Sequence, residues 1–455
     1  MKKYILTSLE SLMGKVLVLG IDCAEPSQIE TWIDELPTLK QLYQVHYCRV
    51  NSTIPPITIP AWLCAFSGLN PGDLGLYDLK VRKPRTYTEF QFYHYGMVRD
   101  FEFIWNFTNK LGKKVILCFV PGTYPPPKIK GIVISDFFTP SIEASFTWPP
   151  FIKKEILNLV DNNYIIDVYD YKRKDPKQLY KELMIKLEQD FKIMKYLLRR
   201  YNWDLFIGVI MSIDRAQHTL WKFFDKEHPR YVHDPELENG LLNLYRKIDQ
   251  ELREIMTIIP KDTSIIIMSD HGAKRMYYRV NINEVLAQEG LLKLKERPKK
   301  AMTLEEANRR GLIDWDRTIA WAWGAYVGQI WINLKGREEK GIVEKEHYED
   351  VCKQIANLLI SIKGIDGKGL DNKVYFKWNV YRGSRVEYMP DITIYYDNLH
   401  YGVNDMIGLN DIYSLEALKG IDDSNHAEKA IFMSDVKVDV NEVSHVFNVL
   451  SKLLQ

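Results

Sequence analysis

The sequence predicts an α/β fold: a mostly parallel central sheet flanked by helices on both faces. Short apolar runs alternate with amphipathic stretches along most of the 455 residues. Two long amphipathic stretches each lead directly into an apolar run. Polar residues follow those runs at once, as expected of sites lying beyond the carboxyl ends of parallel strands.

The first strand is VLVLGID (16–22), an apolar run closed by an acidic residue. KVILCFV (114–120) and GIVISDF (131–137) are two more buried strands. After Pro176, Leu179, Leu183, Leu187, Phe191, Met194 and Leu198 recur at helical spacing among charged residues, before the strand at 204–212. Leu242, Tyr245, Ile248, Leu252 and Ile255 repeat that pattern over about 236–257, before the strand at 264–270. Residues 290–400 differ in texture. Charged helices are expected around 303–311 and 345–361, with two aromatic strands around Gly324 between them. This segment reads as an insertion or lid within one catalytic domain spanning 13–455.

Composition narrows the function. Sixty-one Lys and Arg nearly cancel sixty Asp and Glu, for a net charge of +1, so no polyanion-binding or membrane-binding surface is expected. Five scattered cysteines without a CxxC fit free thiols in a reducing, cytoplasmic compartment. The start, MKKYILTSLESLMGKVLVLGID, imitates a signal peptide, but Glu10 and Lys15 interrupt it and no cleavage site follows. Met13 is then a candidate start, with 1–12 as an extension. The apolar stretch 318–334 is too short and too interrupted to span a bilayer.

The strand ends carry the chemistry. Asp22 follows VLVLGI, Asp214 and His218 follow the strand at 204–212, and Asp270 and His271 follow SIIIM. His426 precedes a late apolar strand. Each alone reads as a turn residue, cap or helix pair. Together they form an oxygen and nitrogen donor set without thiolate, suited to zinc or another borderline divalent ion. The D-x-x-x-H spacing puts Asp214 and His218 on one helical face.

IPPITIPAW (54–62) surrounds Thr58 with prolines. Pro60 suits the first turn of a helix that Gly68 ends, so Thr58 stands just outside a helix N-terminus, within a residue or so, where an anion such as phosphate is favoured. Either Thr58 caps that helix, or a metal activates its hydroxyl as a nucleophile.

With these residues the chain resembles the type I phosphodiesterase/nucleotide pyrophosphatase branch of the alkaline phosphatase superfamily. The resemblance rests on GIDCAEP, PPITIPAWLCAFSGLNPGDLGLYD, MSIDRAQH, MSDHG and the late His426. It implies an alkaline phosphatase-like fold and two divalent ions, most often zinc, with manganese or iron as substitutes. Asp214, His218 and His426 would hold one ion. Asp22, Asp270 and His271 would hold the other, with Thr58 beside it as ligand and nucleophile. It implies hydrolysis of a small-molecule phosphate ester through a phosphothreonine. The pattern departs at one place: the family's Asn before the I-W motif is missing, and Tyr93 or His94 occupies that neighbourhood. His400 and His94 are the substitutes if His426 fails as a ligand. Thr123, Tyr124 and Lys274 are weaker substrate-binding candidates, against the plain reading of loop shape and solvated turn.

Other superfamily activities (phosphomonoesterase, phosphonate or sulfate ester hydrolase, phosphomutase) are alternatives. The C-x-P-x-R of sulfatases is absent around Thr58. A non-catalytic metabolite-binding module is remote, since neither G-x-G-x-x-G nor G-x-x-x-x-G-K-[ST] occurs.

Overall fold

The computed structural model describes residues 14–417 and 420–455; the candidate extension at 1–12 lies outside them. An eight-stranded sheet runs through the middle. In chain order its strands are β1 (Val16–Ile21), β2 (Tyr47–Asn51), β3 (Val115–Cys118), β4 (Gly131–Ile134), β5 (Thr147–Trp148), β6 (Leu205–Ile210), β7 (Ser264–Met268) and β8 (Lys429–Ser434). Their order across the sheet is β2-β8-β7-β1-β6-β3-β4-β5. The five strands from β7 to β4 are parallel, whereas β8 runs antiparallel to both its neighbours and β5 runs antiparallel to β4.

β1 lies between β6 and β7 and every residue of it is buried. Its side chains alternate between two apolar cores, as a strand covered on both faces requires. Val16 and Val18 join one core, and Leu17, Leu19 and Ile21 the other. The second core contains α2 (Pro176–Arg200), α3 (Ser212–Phe224) and α4 (Gly240–Ile258). The first contains α1 (Thr58–Ser67) and the C-terminal helix Val446–Leu454. α2 begins as its sequence dictates: Asp175 accepts from the backbone N–H groups of Lys177 and Gln178, with Pro176 at the first helical position.

Residues 290–400 contain the helices Leu304–Arg309 and Tyr348–Ile360 and a four-stranded antiparallel sheet. The strands of that sheet are Ala320–Trp323, Gly328–Ile332, Ile392–Tyr395 and Lys373–Phe376, in spatial order. Trp321 and Trp331, adjacent in register, are buried in the same core as α1. At its heart Asp391 accepts hydrogen bonds from Arg337, Lys377, Tyr348 and the Ile332 N–H. The tight turn between the first two strands needs Gly324: at φ +145° an added Cβ would stand 2.0 Å from the Val327 carbonyl oxygen.

Candidate metal centre

Strand register assembles the site. Ile21 pairs with Ile210 and Gly20 with Met268, so Asp22, the start of α3 and Asp270 all leave the sheet at one level. Asp214 occupies the first turn of α3, and His218 follows one turn later with its Nε2 3.4 Å from Asp214 Oδ1. His426 comes from the strand Ser424–Ala427, which pairs antiparallel with Gly272–Arg275, the segment just after His271. Its Nε2 lies 3.8 Å from Asp214 Oδ1. His271 Nε2 lies 3.2 Å from Asp270 Oδ2 and 3.9 Å from Asp22 Oδ1. All six ligand candidates are at most 2% exposed.

Among the described residues two donor groups emerge, Asp214–His218–His426 and Asp22–Asp214–His271, each with ligand atoms within 4.8 Å of one another. Asp214 therefore stands in both, and Asp270 adjoins the second through His271.

The hydrogen bonds fix which ring nitrogens are available. Nδ1 of His218 faces the Ser424 carbonyl at 3.1 Å, Nδ1 of His271 the Gly272 carbonyl at 3.1 Å, and Nδ1 of His426 the Pro56 carbonyl at 2.7 Å. A carbonyl only accepts, so each Nδ1 carries a hydrogen, and the neutral rings of His271 and His426 present a lone pair at Nε2. Burial opposes charge on His218, but Asp214 and Asp422 outweigh it and raise that ring, so its Nε2 offers a lone pair once a cation takes the place of its proton. Those lone pairs face carboxylate oxygens, which are also acceptors. Asp22 Oδ1, Asp214 Oδ1 and Asp270 Oδ2 are buried and have no hydrogen-bond partner. Acceptors converging without hydrogens between them fit a divalent cation, and ordered second-side hydrogen bonds on the histidines are what metal ligands require.

Electrostatics agrees with that fit. Burial, with repulsion from Asp214, pushes Asp22 well up, and burial with the Asp22 charge does the same to Asp270. Burial also raises the cost of charge on Asp214, but the His218 and Arg215 charges outweigh it and hold its carboxyl down. Burial takes His271 down to about 4, and burial with its neighbouring histidines lowers His426 as well, which keeps both rings neutral and able to bind metal.

Thr58 is the first residue of α1, not its cap; Ile57 takes the cap position and no side chain caps the helix. The Thr58 hydroxyl lies 3.4 Å from His271 Nε2, at the edge of the second donor group. One turn along, the Trp62 indole N–H donates to Asp22 Oδ2 at 2.7 Å. The proline-rich loop thus serves the site twice, starting the Thr58 helix and holding His426 through the Pro56 carbonyl.

The remaining sequence candidates make other contacts. The Tyr93 hydroxyl donates to the Gly122 carbonyl at 2.9 Å in a buried setting, and His94 is exposed beside it. Thr123 is buried, its hydroxyl donating to the Val120 carbonyl at 2.6 Å, and the Tyr124 carbonyl accepts from the Tyr95 N–H. Lys274 donates to the Asn398 carbonyl, and His400 Nδ1 faces the Arg275 carbonyl at 2.8 Å.

Other residues at the site had escaped the sequence reading. Asp422 Oδ1 sits 3.1 Å from His218 Nδ1 and is paired with Lys172 and Arg279. Arg215 bonds both Asp214 and Asp167. Tyr326, on the turn after Gly324, stacks on His426 with ring centroids 3.9 Å apart. Asp422 and Arg215 are neighbours in sequence of named ligands, a signal that was available; Lys172 and Tyr326 carry none.

The sequence matches the family model described as Type I phosphodiesterase / nucleotide pyrophosphatase over residues 16–422. The chain belongs to that family. It is an alkaline phosphatase-superfamily hydrolase acting on phosphoric ester bonds. Family members of this type depend on metal. Among solved structures, the fold is similar to phosphonoacetate hydrolase from Sinorhizobium meliloti 1021, with a TM-score of 0.63 and 13% identity over 97% of this chain and 96% of that one. It is also similar to murine ectonucleotide pyrophosphatase / phosphodiesterase 5, with a TM-score of 0.54 and 11% identity over 97% and 95% of the two chains. The human form gives 0.52 and 12% over 97% and 94%. No curated protein matches the sequence. Among the described residues no helix is long and apolar enough to cross a membrane.

Proposed function

We propose that this family member is a two-metal phosphodiesterase that works through a covalent phosphothreonine on Thr58. The reading rests on one observation above the others: a helix-terminal hydroxyl lies 3.4 Å from a histidine of a buried, hydrogen-poor carboxylate and imidazole cluster. Asp214, His218 and His426 would hold one ion, and Asp22, Asp270 and His271 the other with Thr58. Zinc is the ion assigned from the nitrogen and oxygen donors, with manganese and iron as alternatives. When bound, such ions lower the hydroxyl pKa and neutralise charge on the phosphoryl group.

This chain's residues do the rest. Thr58 Oγ1 attacks phosphorus and the bond to the departing alcohol breaks. Water then displaces Thr58 from phosphorus, and the hydroxyl is restored. Trp62 holds Asp22, and Pro56 holds His426, so the acceptors keep their directions without rearrangement. Segment 290–400 covers the His218 and His426 side through Tyr326, in keeping with a lid. Substrates are small phosphate esters. The five free cysteines, four of them buried, support a cytoplasmic setting.

Thr58→Ala tests the reading. Turnover of a phosphodiester should vanish while bound metal stays near the wild-type amount, and mass spectrometry of quenched wild-type enzyme should find phosphate on Thr58. Retained turnover removes Thr58 from the chemistry. Assaying a diester, a monoester, a phosphonate and a sulfate ester together separates the superfamily activities.

A further inference from the structure

Tyr326 reaches the site from the Gly324 turn, far in sequence from every ligand candidate. Three contacts fix where it stands. Asn425 Nδ2 donates to the Tyr326 carbonyl at 2.9 Å, Arg279 Nη1 donates to the Ala325 carbonyl at 2.6 Å, and the ring stacks on His426. Its hydroxyl lies 3.3 Å from His218 Nε2 and 3.2 Å from Lys172 Nζ.

The hydrogens at this hydroxyl can be assigned. An ammonium only donates, so Lys172 gives a hydrogen to Tyr326 Oη, and the phenol keeps its own for another acceptor. With His218 neutral that acceptor is its Nε2 lone pair, because His218 Nδ1–H is engaged by Ser424 and Asp422. An ion at Nε2 would occupy the lone pair. The phenolic hydrogen is then available to whatever anion the site holds on its His218 and His426 side.

We propose that Tyr326 is a specificity-determining residue that donates its hydroxyl hydrogen to the leaving-group oxygen of the ester. The proposal rests on the functional reading above and sharpens its substrate class. A hydrogen bond to the departing oxygen matters most when that oxygen gathers full negative charge, as an aliphatic alkoxide does and a nitrophenolate or phosphate does not. The favoured substrates are therefore phosphodiesters of aliphatic alcohols.

Tyr326→Phe keeps the stacked ring and removes only the hydroxyl. Against a series of diesters with graded leaving groups, this variant should lose roughly ten- to hundredfold in kcat/KM on alkyl esters and change little on the nitrophenyl ester. Zinc affinity by calorimetry should match wild type. Equal loss across the series, or weakened zinc binding in Tyr326→Phe, overturns the proposal and makes Tyr326 a support for the histidines. A second arm does not depend on turnover. In zinc-loaded Thr58→Ala protein, inorganic phosphate places an anionic oxygen at the leaving-group position, and adding Tyr326→Phe should weaken its binding about tenfold. Unchanged phosphate affinity overturns the proposal. Wild-type enzyme inert on every ester would instead sink the phosphodiesterase reading, leaving the phosphate arm to decide Tyr326.

Discussion

The Trp62 indole nitrogen donates to Asp22 Oδ2 at 2.7 Å, tying the helix that carries Thr58 to the carboxylate at the end of the central strand. Thr58 and Trp62 are four residues apart on one helical face, so the bond that orients the ligand also sets the distance of the hydroxyl from the cluster.

Trp62→Phe keeps an aromatic ring of smaller size and leaves Asp22 Oδ2 buried without its donor. The expected results are a stability loss of about 1–3 kcal/mol in urea unfolding and a metal affinity lower by roughly 10–100-fold. Calorimetric metal titration and chemical denaturation check the two separately.

Gly20 makes that contact possible, since a Cβ there would stand 2.4 Å from Trp62 Cη2 and 3.0 Å from Val209 Cγ2. Gly20→Ala should cost about 1–3 kcal/mol by overpacking. Because it displaces the same indole, its effect on metal affinity should not add to that of Trp62→Phe. A double-mutant cycle measures this; full additivity would mean the two positions act independently.

Asp422→Asn removes a carboxylate beside His218 Nδ1 that also pairs with Lys172 and Arg279. Dialysis against a competing chelator should strip metal from this variant at roughly 10–100-fold lower chelator strength than from wild type. Unchanged retention would show that the Ser424 carbonyl alone orients the ring.

The remote Asp391 supplies a pH prediction. Burial opposes its charge, but Arg337 and Lys377 outweigh burial and hold its pKa below the ordinary value. A depressed carboxylate stabilises the fold above its unfolded pKa of about 4, and that contribution is lost as pH falls through the folded value. Asp391→Asn should therefore cost about 3–5 kcal/mol at neutral pH, since the buried Arg337 keeps only Glu338 and the partly buried Lys377 loses this carboxylate. The gap from wild type should begin to narrow below about pH 4 and go on closing as pH falls toward the folded value. Denaturation at several pH values measures it, and a gap independent of pH would contradict the assignment.

Metal removal should both stop turnover and loosen the fold. Zinc at about a thousand times its dissociation constant should add about 4 kcal/mol to the unfolding free energy of the chelated protein. Thermal unfolding with and without zinc reads this directly, and no shift would argue against ion binding by the native cluster.

Much of the fold was legible because its periodicities are local. The apolar runs at 16–22, 204–212 and 264–270 became β1, β6 and β7, and the helices after Pro176 and around 236–257 became α2 and α4. The two aromatic strands flank Gly324 as their alternation implied. Thr58 differs by one position: it opens α1 instead of standing outside it, because extended Ile57 takes the cap.

By itself, then, the sequence determined the layered α/β architecture, the membership in a phosphoesterase family, and the short segments from which polar ligand candidates project. Residue spacing suffices for these, since side-chain direction repeats every two residues in a strand and about every 3.6 in a helix. Tertiary structure alone decided which distant atoms meet: Pro56 with His426, Trp62 with Asp22, Lys172 and Tyr326 with His218. Such meetings depend on strand order and on the path of an inserted hairpin, and no local period encodes either.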